Sequence, residues 1–322
     1  MMRAALHPPF DHPVPPSGYA WWYLDALSDD GRHGITLIAF VGSVFSPYYA
    51  MARRRAPGQA NPLNHCALNV ALYARPGERA ATGWSMTERG AGALRRSASR
   101  LQIGPSAMEW DGDCLCVHID EITAPWPSRI RGTVRLHADA VLGMPYALDP
   151  QGHHHWCPIA PCARVEVDLN SPNLRWHGHA YLDANTGDRP LEQDFSRWDW
   201  SRATLNGGRS AVLYDVTRSD AGHTALALAF DARGNVEQLE PLPKASLPGS
   251  KWGLQRGTRV DPQASVRVTQ SLEDGPFYAR AVLETQLLGE TATAVHETLS
   301  LQRFSAGWVQ CLLPFRMPRR GG

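Results

Sequence analysis

YLDALSDDGRHGITLIAF, residues 23–40, and LYDVTRSDAGHTALALAF, residues 213–230, are the two stretches whose pairing decides the fold. They align without a gap and share Asp25/Asp215, Asp30/Asp220, His33/His223, Ala39/Ala229 and Phe40/Phe230. Each reads as an apolar segment, a turn and a second apolar segment. Asp29-Asp30-Gly31 is a hairpin-type turn, because short polar residues and glycine tolerate the backbone angles it needs. The same strand–turn–strand grammar in both halves of the chain points to two related β domains joined near residues 185–195.

Outward from these hairpins the alternation continues. In Cys114–Glu121, Leu115, Val117 and Ile119 face one way, while Cys116, His118 and Asp120 face the other. Arg131–Asp139 and Arg164–Asn170 repeat the pattern with Val134/Leu136/Ala138 and Val165/Val167/Leu169. A period of two with one apolar face is the mark of antiparallel sheet covered on one side. The second half supplies further strands at Ala211–Val216, Val236–Leu239, Ala264–Leu272, Tyr278–Leu288 and Val295–Phe304. Only Ser85–Arg100 has room for a short helix. The basic triplet Arg53–Arg55 reads as a solvated loop, with membrane headgroups as the sharper alternative. With 28 glycines and 25 prolines to make turns, the expected fold is all-β. Antiparallel strands at this spacing close into barrels, which removes exposed edges and can enclose one apolar ligand.

Composition excludes several functions. A net charge of +1 over 322 residues leaves no footprint for nucleic acid. There is no apolar run long enough for a transmembrane helix, and the start, MMRAALHPPFDHPVPP, lacks the apolar middle of a secretory signal. Six cysteines in so long a chain fit reduced thiols in a cytoplasm. There is no GxSxG elbow, P-loop or dinucleotide fingerprint, so hydride and phosphoryl transfer have no support.

The chemistry gathers between Gly152 and Arg202. As a strand, Trp176–Asp183 places His177, His179, Tyr181 and Asp183 on one face and Gly178, Ala180 and Leu182 on the other. His153-His154-His155 invites a metal, but His154 points away from its neighbours and no HExxH or CxxC supplies the missing ligands. No metal is expected, and Cys114, Cys116, Cys157 and Cys162 read as neutral thiols. What remains is a carboxylic acid, imidazoles and aromatic rings. A carboxyl in an apolar barrel stays protonated near neutral pH and is a general acid. Trp156 and Tyr181 can stabilise a cation through their ring faces. Together these suit protonation of an alkene. The plain alternative is a polar cluster that merely satisfies itself between two barrels.

GYAWWYLDALSDDGRHGITLIAFVGSVFSPYYA, HHHWCPIAPCARVEV, HAYLDANTGDRPLEQDFSRWDWSRA and VLYDV together resemble the carotenoid 1,2-hydratase (hydroxyneurosporene synthase) family of phototrophic bacteria, over nearly the whole chain. The resemblance implies two tandem lipocalin-like antiparallel β-barrels, here residues 1–188 and 189–322. It implies cofactor-free addition of water to the terminal 1,2 double bond of acyclic carotenoids such as neurosporene and lycopene. Family positions fall on His154 and Trp156 in H-x-W and on Tyr181 and Asp183 in Y-x-D, as the catalytic set. His177, His179, Trp198 and Trp200 join them as substrate-binding candidates. A substrate that dissolves only in membranes implies a cytoplasmic protein in peripheral contact with the inner, photosynthetic membrane. A non-catalytic carrier of apolar ligands and a tandem-lipocalin isomerase or cyclase are the rival readings.

Overall fold

A computed structural model describes residues 8–75, 77, 82–240 and 242–320; the first seven residues of the Pro-rich lead-in lie outside them. The chain divides into two compact units, Met1–Pro190 with Cys311–Gly322, and Leu191–Gln310.

In the first unit the strands that position the site are β1 (Tyr19–Ser28), β2 (His33–Val41), β3 (Cys66–Ala74), β4 (Arg100–Ile103), β5 (Ser106–Asp111), β6 (Cys114–Ile122), β7 (Arg129–Ala138), β8 (His154–Ser171) and β9 (Asn173–Gly187). They form one antiparallel path, β3-β2-β1-β9-β8-β7-β6-β5-β4, so the first and the last long strands lie side by side at its middle. Leu24, Leu37, Leu68 and Val70 from one end of the path share a buried cluster with Leu101, Val117, Leu136 and Val165 from the other. Strands so far apart in one sheet meet only if the sheet curls on itself. Each such aliphatic side chain contributes about 1.5–3 kcal/mol by leaving water, and this drives the curl. β1 and β9 approach closely at Gly178, where a Cβ would lie 2.0 Å from the Leu27 carbonyl oxygen.

The second unit contains β10 (Phe195–Thr204), β11 (Ser210–Arg218), β12 (His223–Phe230), the hairpin of β13 (Lys244–Leu247) and β14 (Arg256–Arg259), then β15 (Arg267–Asp274), β16 (Tyr278–Leu287) and β17 (Glu290–Ser300). Its main sheet runs β12-β11-β10-β17-β16-β15, antiparallel throughout, with Val236–Gln238 beyond β12. The architecture is the expected all-β pair of curled sheets.

The repeat between the two hairpins holds in outline and fails in register. In the first unit Leu24 pairs with Leu37 and Tyr23 with Ile38. In the second, Leu213 pairs with Ala227, where the gapless alignment demands Leu228. The second strands keep their facing, since Leu37 and Ala227 both enter the core clusters. The first strands do not. Leu24 and Ala26 are core in one unit, Ala211 and Leu213 in the other. A slip of one residue turns a strand over, so the aligned Asp25 and Asp215 lie on opposite faces relative to the cores.

Local departures have local causes. Residues 85–100 hold short strands and one 3-10 turn at Ala91–Ala93 instead of a helix. Arg53–Arg55 end a helix, α1 (Pro47–Arg55), and are not a loop: the Ser46 hydroxyl accepts from the Tyr48 and Tyr49 N–H groups and Pro47 occupies the first turn. Arg53 is buried over the Tyr49 ring, 4.5 Å from its centroid. The last strand stops at Ser300, whose side chain caps the next turn, and a second helix, α2 (Gly307–Arg316), follows.

Candidate active site

Alternation along β9 sends Ala180, Leu182 and Ala184 into the apolar core. Tyr181, Asp183 and Asn185 therefore point to the opposite face, together with Trp21, Tyr23 and Asp25 on the paired β1. The expectation of a carboxyl inside the apolar barrel is corrected here, because the core belongs to the even-numbered residues and Asp183 lies behind it. The site is nonetheless buried. Asp183 is 2% exposed, and His154, Trp156 and Tyr181 are fully buried.

β8 reaches this face by an irregular route. Its register against β9 shifts once between Pro158 and Ala160 and again between Ala160 and Ala163. Prolines 158 and 161 cannot donate to the ladder, and bulges are where a strand accommodates that. Two one-residue shifts cancel in parity. Val165 and Val167 thus face the core, while Trp156 comes opposite Asn185 and His154 opposite Gly187.

Two linked clusters result. The Trp156 indole Nε1–H donates to Asp183 Oδ2 at 2.7 Å, and the Tyr181 hydroxyl donates to the same oxygen at 2.7 Å. Trp156 Nε1 also lies 3.2 Å from the Tyr181 oxygen, so acid, phenol and indole form a closed triangle. Tyr146 tilts over Trp156 with ring centroids 5.5 Å apart, and Tyr23 meets Tyr181 edge-on at 6.3 Å. Burial pushes the Cys157 thiol up to about 12.

The second cluster fixes His154. Its Nδ1 lies 2.8 Å from the Tyr19 hydroxyl, and the two rings stack with centroids 5.8 Å apart. They meet over Gly187, where a Cβ would lie 2.5 Å from the Tyr19 ring and 2.8 Å from His154 Nδ1. The strand entry is pinned by Asp149, whose carboxylate accepts the N–H groups of Gln151, His153 and His154. Burial raises the Asp149 pKa, but these backbone bonds outweigh it and hold the carboxyl below its ordinary range.

The structure therefore brings four of the candidates, His154, Trp156, Tyr181 and Asp183, to one buried face. His177 and His179 keep that face but sit at its exposed end, with His179 Nε2 3.9 Å from Asp29. Trp198 and Trp200 belong to β10 of the second unit, where Trp198 packs edge-on against Phe195 and Tyr214 at 5.7 and 5.3 Å. His153 turns outward to Asp188 at 3.0 Å. Among the described residues no group of three or more His, Cys, Asp and Glu side chains is placed to hold a metal ion. Tyr19, Asp149 and Gly187 were not singled out from the sequence.

The fold is that of the tandem lipocalin-like proteins. An AttH protein from Nitrosomonas europaea superposes with a TM-score of 0.64 at 16% identity, covering 88% of this chain and 92% of that one. Kievitone hydratase from Nectria haematococca superposes with a TM-score of 0.55 at 9% identity, covering 91% and 92%. Within that class the chain belongs to the carotenoid hydratase family: residues 37–322 match the family model described as carotenoid hydratase CrtC. It is 56% identical to the acyclic carotenoid 1,2-hydratase of Thiocapsa roseopersicina, over 99% of this chain and 77% of that protein. The enzyme of the same name from Rubrivivax gelatinosus is 51% identical, over 97% and 76%.

Proposed function

We propose that this chain is an acyclic carotenoid 1,2-hydratase, adding water to the terminal C1=C2 bond of substrates such as neurosporene and lycopene, with Asp183 as the acid. The observation that carries the reading is the Asp183 carboxyl, buried among aromatic rings with two donors on one oxygen. Burial favours the neutral form of the acid. With Oδ2 occupied by Tyr181 and Trp156, the acidic proton sits on Oδ1. As that proton leaves, the same two donors stabilise the carboxylate that forms.

The proton goes to C2, the π pair of C1=C2 becomes the new C–H bond, and C1 is left as a tertiary cation. The ring faces of Trp156 and Tyr181 stabilise it. A water oxygen then bonds to C1 and gives up its surplus proton to His154. In that role His154 carries its ring proton on Nδ1, donates it to the Tyr19 oxygen, and accepts at Nε2. Proton return to Asp183 through solvent resets the site. Addition of water changes no oxidation state overall, so the step requires no redox group and is written without a cofactor. The names of the curated relatives support the substrate class.

The substrate dissolves in bilayers, and the proposal includes peripheral contact with the cytoplasmic face of the inner membrane. Among the described residues no helix is long and apolar enough to cross a membrane. On α2, Trp308, Leu312 and Phe315 are exposed at a spacing that puts them on one side. Exposed Arg316 and Arg320 follow, with Arg319 paired to Glu88 between them; apolar side chains beside cations are the combination that seats a helix in an anionic lipid surface. Co-sedimentation with anionic liposomes checks this; protein left wholly in the supernatant contradicts it.

The chemistry is tested by incubating the protein with lycopene in liposomes in deuterated water, without added cofactor and with a chelator. Mass spectrometry should find one added water and one carbon-bound deuterium at C2. Unchanged pigment that stays bound favours a carrier, and a product of unchanged mass favours an isomerase.

A further inference from the structure

The second unit holds a cavity of about 470 Å³ that the proposed hydration does not use. It is lined from β10 and β11 on one side and by the β13–β14 hairpin on the other. Its cations outnumber its carboxylates. Asp199 is already bound by Arg197 Nε at 2.7 Å and by the Thr298 hydroxyl at 2.5 Å. Asp215 is held by Arg259 and His223, with Lys244 at 3.3 Å.

Arg256 is different. Only 7% exposed, it spends its Nε–H on the Pro248 carbonyl at 2.8 Å. Among the described residues no acceptor meets its two outer nitrogens and no carboxylate lies within ion-pair distance of it. Burial pulls its pKa below the usual arginine value, with only partial relief from Asp274. Arg256 lines the cavity, and a guanidinium so largely buried is costly without a counter-charge. Beside it lies a hydroxyl floor: Ser201 Oγ is 2.9 Å from Thr258 Oγ1 and 2.9 Å from His296 Nδ1. Burial, then the charges of Arg256 and Arg197, push His296 down to about 3, so it is a neutral hydrogen-bonding partner.

We infer that this cavity binds the phosphate group of a small ester, held by Arg256 with Lys244 at the mouth and Thr258 at the floor. Donors reaching the space from the floor, the wall and the mouth suit a tetrahedral oxyanion better than a planar carboxylate, which one arginine fork satisfies. The volume lies in the range of small-ligand sites and exceeds what an inorganic ion fills. On the proposed reading the substrate is a hydrocarbon and the product a neutral alcohol, so neither supplies the anion these cations call for. Its source is a free phosphate ester or a lipid headgroup.

The test is calorimetric titration of the full chain with sn-glycerol 3-phosphate, alongside binding to phosphatidylcholine vesicles with and without phosphatidic acid. Saturable binding to either phosphate source is expected, weakened more than about tenfold in R256Q and several-fold in K244Q, and unchanged in D183N. Binding to glycerol phosphate alone identifies a free ester, and binding to phosphatidic acid vesicles alone a headgroup. No saturable binding to either overturns the inference. So does wild-type binding in folded R256Q. Should R256Q fail to fold, K244Q decides, since the Lys244 side chain is 62% exposed; wild-type binding in K244Q then overturns it.

Discussion

Hairpins β1–β2 and β11–β12 share an alignment but turn their first strands in opposite directions, and the molecule's chemistry follows from that difference. In the first unit the face carrying Asp25, Tyr181 and Asp183 is the one behind the apolar core. In the second, Asp199, Ser201 and Asp215 share the face of Ala203, Ala211 and Leu213, which is the core side. One face buries an acid among aromatic rings; the other collects arginines, hydroxyls and a neutral histidine around a cavity. Identical aspartates at aligned positions therefore face different surroundings. Register, and not residue identity, assigns the role.

The comparison can be broken from either side. Asp199→Asn removes the carboxylate facing Arg197 and Thr298; burial already pushes that carboxyl above its ordinary range and Arg197 is a third exposed, so the loss of stability should be about 1 kcal/mol. Thermal unfolding checks this, while hydration per folded molecule stays near wild type. A large loss of turnover in folded protein would erase the distinction between the faces. Tyr181→Phe and Trp156→Phe each delete one donor to Asp183 Oδ2. A hydrogen bond to a charged group is worth about 1.5–3 kcal/mol, so kcat should fall roughly 10- to 100-fold in each, with little change in unfolding temperature for Tyr181→Phe and a lowered one for Trp156→Phe, whose smaller ring leaves a cavity at a fully buried position.

Gly187→Ala sharpens the account of His154. The added methyl would collide with Tyr19 and His154, and overpacking of this kind costs about 1–3 kcal/mol. Hydration should drop, while Gly207→Ala or Gly208→Ala, in a turn of the second unit with open space around each Cβ, should leave it unchanged apart from mild backbone strain. The smallest effect concerns pH. The Asp149 carboxyl is held below its ordinary range in the folded state, so its contribution is present above the unfolded value near 4 and is lost as pH falls through the lowered folded value. Asp149→Asn should lower stability at neutral pH and flatten the acid limb of a stability–pH curve.

Much of this was legible in the chain. Strict alternation in Val134/Leu136, Val165/Val167 and Leu115/Val117 reports an apolar face directly, so the all-β architecture could be read from periodicity. The facing of Tyr181 with Asp183 followed from the same rule. What escaped depended on long-range geometry. The register slip between the hairpins leaves no mark in an ungapped alignment, because the two loops contain equal numbers of residues. Tyr19 and His154 meet across 135 positions, and only the pairing of β1, β9 and β8 shows why Gly187 has no side chain. Arg53–Arg55 read as a loop, yet Ser46-Pro47 upstream is a helix cap and first turn, and local hydrogen bonding chose the helix. The facing of the acid away from its own core required knowing which residues of β9 meet β1.

The central claim, that Asp183 on the face behind the core is the proton donor, is tested most directly by Asp183→Asn. The substitution keeps size and the acceptor oxygen for Tyr181 and Trp156, but has no acidic proton. With lycopene in liposomes, the rate of water addition per folded molecule should fall about 10²–10⁴-fold, the usual contribution of a positioned general acid, while the unfolding temperature stays close to wild type. Wild-type hydration by a folded Asp183→Asn protein would contradict the account.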